Sequence, residues 1–97
     1  MKYDNFKVTV IIPVYNEEKT VMQTMQKLKK TMHENFANYE IIAVNDGSTD
    51  KSKEILENID NIIVVNNPYN LGYGSSIKKA MQNSNSDYIL ITDADGT

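Results

Sequence analysis

Asp93-Ala94-Asp95-Gly96 sets two carboxylates two residues apart, directly after the apolar stretch Tyr88-Ile89-Leu90-Ile91-Thr92. Two acids at the end of an extended segment can both turn toward one hard cation once the chain leaves strand geometry. Oxygen-only ligands suit Mg²⁺ or Mn²⁺, and Mg²⁺ takes one or two protein carboxylates and completes its shell with water and substrate phosphates. Such a metal would hold a diphosphate without a glycine-rich loop. The competing reading is an Asp-Gly turn. The preceding strand favours the metal, because an acid beside a buried strand is costly without a partner.

A second candidate is Asp46, inside Asn45-Asp46-Gly47-Ser48-Thr49-Asp50, which follows Tyr39-Glu40-Ile41-Ile42-Ala43-Val44. A carboxylate there can accept a hydrogen bond from a base N–H, the contact that fixes a uracil or guanine ring. The same residues also read as an Asp-Gly turn with Ser48 or Thr49 capping a helix, and Asp50 is the weaker ligand candidate. The third segment is Pro13-Val14-Tyr15-Asn16-Glu17. Tyr15 offers a flat face to a base or ribose, and Glu17 an acceptor. A rigid strand exit at Pro13 with Asn16 as helix N-cap would account for that segment without any ligand.

These segments sit where alternating elements would end. Val8–Ile12, Tyr39–Val44, Ile62–Val65 and Tyr88–Thr92 are short β-rich runs that read as strands. Between them lie helical patterns. The first starts at Asn16, with Glu17 and Glu18 in its first turn and Val21, Met25, Leu28 and Met32 on its inner face. The second runs from Ser48 or Thr49 through Ile59, and the third from Gly72 to Asn83 with Ile77, Ala80 and Met81 inward. Strands apolar on both faces, alternating with helices, imply a parallel sheet covered on both sides: a three-layer α/β/α fold. In such sheets ligands bind beyond the strand C-termini. All three candidate segments fall there.

The rest of the sequence excludes other classes. Ninety-seven residues allow one domain. The ten basic residues are all lysine, unclustered, in a chain of net charge −3, which argues against a nucleic-acid partner. Cysteine is absent, so disulfides and thiolate chemistry are excluded. No apolar run is long enough to span a bilayer and the N-terminus lacks the h-region of a signal peptide, so a cytoplasmic setting is expected. Gly72-Tyr73-Gly74 lacks the third glycine of a dinucleotide fingerprint, the first strand–helix turn has no glycine, and no P-loop occurs. His33 reads as a solvated helix end, the helix methionines as core, and Ser48, Ser75 and Ser76 have no histidine placed to activate them.

Taken together, Pro13-Val14-Tyr15-Asn16-Glu17, Asn45-Asp46-Gly47-Ser48-Thr49-Asp50, Asn70-Leu71-Gly72 and Asp93-Ala94-Asp95-Gly96 resemble the motifs of family 2 glycosyltransferases in order and spacing. The resemblance runs from about Val8 to Thr97 and is strongest to the branch of dolichyl- and polyprenyl-phosphate mannosyl- and glucosyltransferases. It implies the GT-A (Rossmann-like) fold with strand order 3-2-1-4. It further implies transfer of a sugar from a UDP- or GDP-sugar, with inversion, to an acceptor such as a polyprenyl phosphate. By that resemblance Pro13, Tyr15 and Glu17 surround base and ribose, and Val44 and Asp46 form the base-reading strand end. Asp93, Ala94 and Asp95 are then the D-x-D motif, with Asp93 and Asp95 holding Mg²⁺ or Mn²⁺. Two positions depart from the pattern: Asn45 stands where an aspartate is common, and Thr97 where the polyprenyl branch often has glutamine.

The resemblance also implies that acceptor site and general base lie beyond Thr97. Residues 1–97 are therefore expected to be the nucleotide-binding half of an enzyme, with no catalytic residue of their own, whose whole chain associates with the cytoplasmic face of a membrane. Rival readings are a sugar-nucleotide pyrophosphorylase half-domain, a receiver-like module, or a non-catalytic fragment that self-associates. The first lacks its basic Gly-rich loop after the first strand, and the second lacks an acceptor Asp in Asn66-Asn67-Pro68. Homo-oligomers through an exposed fourth strand are expected, since that strand is β-rich and uncharged.

Overall fold

The computed structural model describes residues 4–93. Strand and helix alternate as β1 (Val8–Val14), α1 (Val21–Asn35), β2 (Tyr39–Asp46), α2 (Ser52–Glu57), β3 (Ile63–Asn67), α3 (Tyr73–Gln82) and β4 (Tyr88–Ile91). All pairings are parallel, in the order β3-β2-β1-β4. The expected strand order and layers are therefore present.

The period-two alternation of β1 and β2 divides their side chains between two cores. Val8, Val10, Ile12 and Val14, with Ile41 and Ala43, pack against Val21, Met25 and Met32 of α1 and Leu56 of α2. Ile11, Ile42 and Val44 point the other way and meet Ala80 of α3. One face thus carries α1 and α2, and the other α3. Met25 is fully buried, so its replacement by Ala would cost roughly 2–5 kcal/mol through lost transfer energy and an unfilled cavity.

Local boundaries differ from the sequence reading, each for a physical reason. Strand β1 does not stop at Ile12 but runs through Pro13 to Val14, in register with Val44 and Asn45. The Ile11 carbonyl accepts from Thr92 N–H, so residues two apart on β1 face β4; pairing with β4 ends at Ile11–Ile91. The missing N–H of Pro13 therefore points where no ladder continues. Strands β2 and β3 extend beyond their apolar runs because polar pairs carry the ladder on. Asn45 Nδ2 donates to Asn66 Oδ1 at 3.0 Å, and Asn67 Nδ2 to Asp46 Oδ1 at 2.9 Å, both across register partners. Ile62 lies before β3 and packs half-buried on the larger core.

Helix α2 ends at Glu57 rather than Ile59. Its last turn tightens, with Ile59 N–H donating to the Leu56 carbonyl, three residues back, at 3.1 Å. Strand β4 pairs with β1 alone among the described residues, and Tyr88, Leu90 and Ile91 remain exposed.

Candidate functional site

Two loops at the C-terminal edge of the sheet are laced together. The backbone N–H groups of Asn16, Glu17 and Glu18 donate to Ser48 Oγ (3.0 Å), Ser52 Oγ (2.9 Å) and Asp50 Oδ2 (3.1 Å) respectively. In return, Asn16 Oδ1 accepts from the N–H groups of Thr49 (2.8 Å) and Asp50 (3.3 Å). Asn16 is therefore not the N-cap of α1. Its φ of +51° is the left-handed conformation that Asn tolerates, whereas an N-cap needs extended backbone. The first i→i+4 bond of that turn is Val21 N–H to the Glu17 carbonyl at 2.9 Å. Ser48 and Thr49 likewise do not cap α2, which begins at Ser52 after Lys51; their polar groups are spent across the loops. Asp50 Oδ1 accepts from Ser52 N–H at 2.9 Å.

A third loop, between β3 and α3, is gathered by Asp46. Oδ1 accepts from Leu71 N–H at 2.8 Å as well as from Asn67 Nδ2, and Oδ2 accepts from Gly72 N–H at 3.0 Å. Asn67 is held in turn by Lys79 Nζ at 2.8 Å and donates to Ser76 Oγ at 3.2 Å. Burial pushes the Asp46 carboxyl toward the neutral form. The hydrogen bonds from Leu71, Asn67, Gly72 and Ser76 outweigh it and hold the group below its ordinary range. Asp50 is lowered in the same way, its slight burial outweighed by bonds from the Ser52 hydroxyl and N–H and from Glu18 N–H.

Pro13, Tyr15, Glu17, Asp46 and Asp93 line one open cleft of about 350 Å³, within the range of small-ligand sites. Val44, at 0% exposure, lies in the core beneath that cleft with Ile11, Ile42 and Ala80, and its side chain does not line it. Ala94 and Asp95 lie outside the described residues. Sequence reasoning had not placed Asn70 and Tyr73 in the lining, where they join Gly72. The available signal was the rule that every strand C-terminus in a parallel sheet opens on the same edge, which applies to the loop after β3 as well.

Asp93 also borders a groove formed with Gln23, Lys27 and Thr92. Its carboxylate is exposed and unpartnered among the described residues, which suits a ligand for a hard cation. Among the described residues no cluster of three or more acidic or imidazole groups accompanies it. A single carboxylate fits Mg²⁺ or Mn²⁺ whose remaining ligands are water, phosphate and at most another acid.

Residues 9–97 match the family described as glycosyl transferase family 2. The undecaprenyl-phosphate 4-deoxy-4-formamido-L-arabinose transferase of Proteus mirabilis (strain HI4320) is 36% identical over 96 residues, covering 92% of this chain and 29% of that protein. Among solved structures, S. aureus TarS 1-349 in complex with UDP superposes with a TM-score of 0.77 at 28% identity, over 92% of this chain and 27% of that one. The mannosyltransferase PcManGT from Pyrobaculum calidifontis, in complex with GDP-Man and Mn²⁺, gives a TM-score of 0.82 at 23% identity, over 93% of this chain and 28% of that one. That last likeness is one of fold. The chain spans under a third of the length of these relatives.

Proposed function

The chain belongs to glycosyltransferase family 2, and from that premise we propose that its cleft is the nucleoside-diphosphate site of a sugar-nucleotide donor. The carrying observation is convergence: Pro13, Tyr15, Glu17, Asp46 and Asp93, from three different strand ends, line one cleft. Tyr15 presents an exposed ring for a base or ribose, Glu17 a hydroxyl acceptor, and Asp46 the carboxylate edge of the base wall. In this reading residues 1–97 are the donor half, and the whole protein transfers a sugar from a UDP- or GDP-sugar with inversion. UDP in the TarS complex supports a nucleotide at this edge. The named acceptor chemistry of the Proteus mirabilis relative supports a polyprenyl phosphate and, with it, placement at the cytoplasmic face of a membrane. Among the described residues no helix is long and apolar enough to cross a membrane.

Asp93 and Asp95 would hold Mg²⁺ or Mn²⁺. When bound, such an ion supplies charge neutralisation of the departing diphosphate. The chain's own groups orient base and ribose and keep the strand ends fixed. The exposed edge of β4 supports a further property of these 97 residues, self-association by strand pairing.

Calorimetric titration of UDP and GDP into the chain, with Mn²⁺ and with EDTA, tests the donor-site reading. Metal-dependent binding of either nucleotide is expected, and binding of neither would overturn it.

A further inference from the structure

Two exposed tyrosines line the cleft, Tyr15 at 45% and Tyr73 at 57% exposure. Neither ring stacks on another aromatic side chain among the described residues. An exposed tyrosine is by itself ordinary. Tyr69 and Leu71, on the chain leading to Tyr73, are exposed as well, but of the three only Tyr73 lines the cleft.

What separates Tyr15 and Tyr73 from other surface rings is the backbone beneath them. Tyr15 lies between Val14, in register with Asn45, and Asn16, whose N–H donates to Ser48 Oγ at 3.0 Å. Tyr73 follows Gly72, whose N–H donates to Asp46 Oδ2 at 3.0 Å and whose carbonyl accepts from Ser76 N–H at 3.1 Å. Asp46 and Ser48, at the end of β2 and in the turn after it, therefore fix the two backbone positions relative to each other. Strands β1 and β3 flank β2 in the sheet. Two strand spacings set their ends roughly 9–10 Å apart. Two rings flanking one planar base at van der Waals distance lie about 7–8 Å apart. A base fits between these loops, and walls held in place beforehand bind it at little further ordering cost.

We infer that Tyr73 is the second stacking wall of the donor cleft, so that the nucleotide base lies between the rings of Tyr15 and Tyr73. The inference rests on the donor-site reading and adds to it a residue from the β3 side. Tyr73 acts through its ring face and not its hydroxyl. Stacking of this kind accepts a pyrimidine or a purine, because every base has a π face.

Calorimetric titration of UDP and GDP with Mn²⁺ into the parent chain, Tyr73→Ala, Tyr73→Leu and Tyr73→Phe gives the test. Tyr73→Phe should bind as the parent does. Tyr73→Ala and Tyr73→Leu should bind about tenfold more weakly. Their melting temperatures should not change, since Tyr73 belongs to neither core. Proton NMR with Mg²⁺ adds a direct readout: base protons should move upfield on binding the parent, and less on binding Tyr73→Leu. Tyr73→Ala binding as tightly as the parent would overturn the inference while leaving the donor-site reading intact. So would an equal loss in Tyr73→Phe, which would assign the effect to the hydroxyl, or full affinity in Tyr73→Leu, which would assign it to apolar bulk. Should Tyr73→Ala fail to fold, the Leu and Phe variants decide. Failure of both nucleotides to bind the parent would remove the donor-site reading and the inference together.

Discussion

A side chain on Gly47 would place its Cβ 2.3 Å from the carbonyl carbon of Tyr69. The loop after β3 thus lies directly on the backbone of the loop after β2, and Gly47, at φ +71°, is what allows the approach. Asp46, the preceding residue, ties that loop down from the other side through Leu71 and Gly72.

Gly47→Ala should therefore destabilise the chain by roughly 2–5 kcal/mol, combining left-handed strain with overpacking against backbone that cannot yield cheaply. Urea denaturation followed by circular dichroism measures it. An unchanged midpoint would mean the two loops separate freely.

Asn16→Ala removes the acceptor for Thr49 and Asp50 N–H. A loss of about 1–2 kcal/mol is expected, from the unmade bonds and the positive φ. Asn16→Asp keeps an acceptor and should retain most of the stability. Equal losses in the two variants would show that the clip contributes nothing.

Stability should fall on acidification. The carboxyls of Asp46 and Asp50 lie below the ordinary value of 3.8 in the folded chain. As pH drops, the unfolded chain takes up these protons first. The stabilisation is complete above about pH 4 and is lost as pH falls through the folded values. Asp46→Asn should flatten this acid limb in urea melts at a series of pH values. A parent protein whose stability is flat below pH 4 would contradict the bonding described.

Asp93→Ala should abolish the Mn²⁺-dependent part of nucleotide binding and leave thermal stability unchanged, because Asp93 lies exposed beyond the end of β4. Calorimetry with and without EDTA separates the two contributions. Persistence of the metal effect would assign the ion to other ligands.

The chain should associate with itself as its concentration rises. Leu90 and Ile91 are 45% and 46% exposed on a strand paired on one side among the described residues. Leu90→Lys places a charge on that edge and should reduce association in light scattering over a concentration series. A parent protein that stays monomeric throughout would refute strand pairing.

The layer order and the edge on which the candidate cleft opens were legible in the sequence because both follow from local rules. β-branched runs separated by helical spacing leave a parallel sheet as the arrangement that buries them, and its C-terminal edge is where Pro13–Glu17, Asn45–Asp50 and Asp93 must emerge. What only tertiary structure decided was where the polar groups at that edge send their hydrogen bonds. Asn16, Ser48 and Thr49 carry the local signature of helix caps, yet all three bond across to a neighbouring loop. Asp46, whose acidity alone suggests a ligand contact, spends most of its acceptor capacity on Asn67, Leu71 and Gly72. A carboxylate, amide or hydroxyl satisfies itself with whichever donor the fold brings near. Contacts between residues 16 and 49 or 46 and 72 exist only after the β1–β2 and β2–β3 crossovers have set their strand ends side by side.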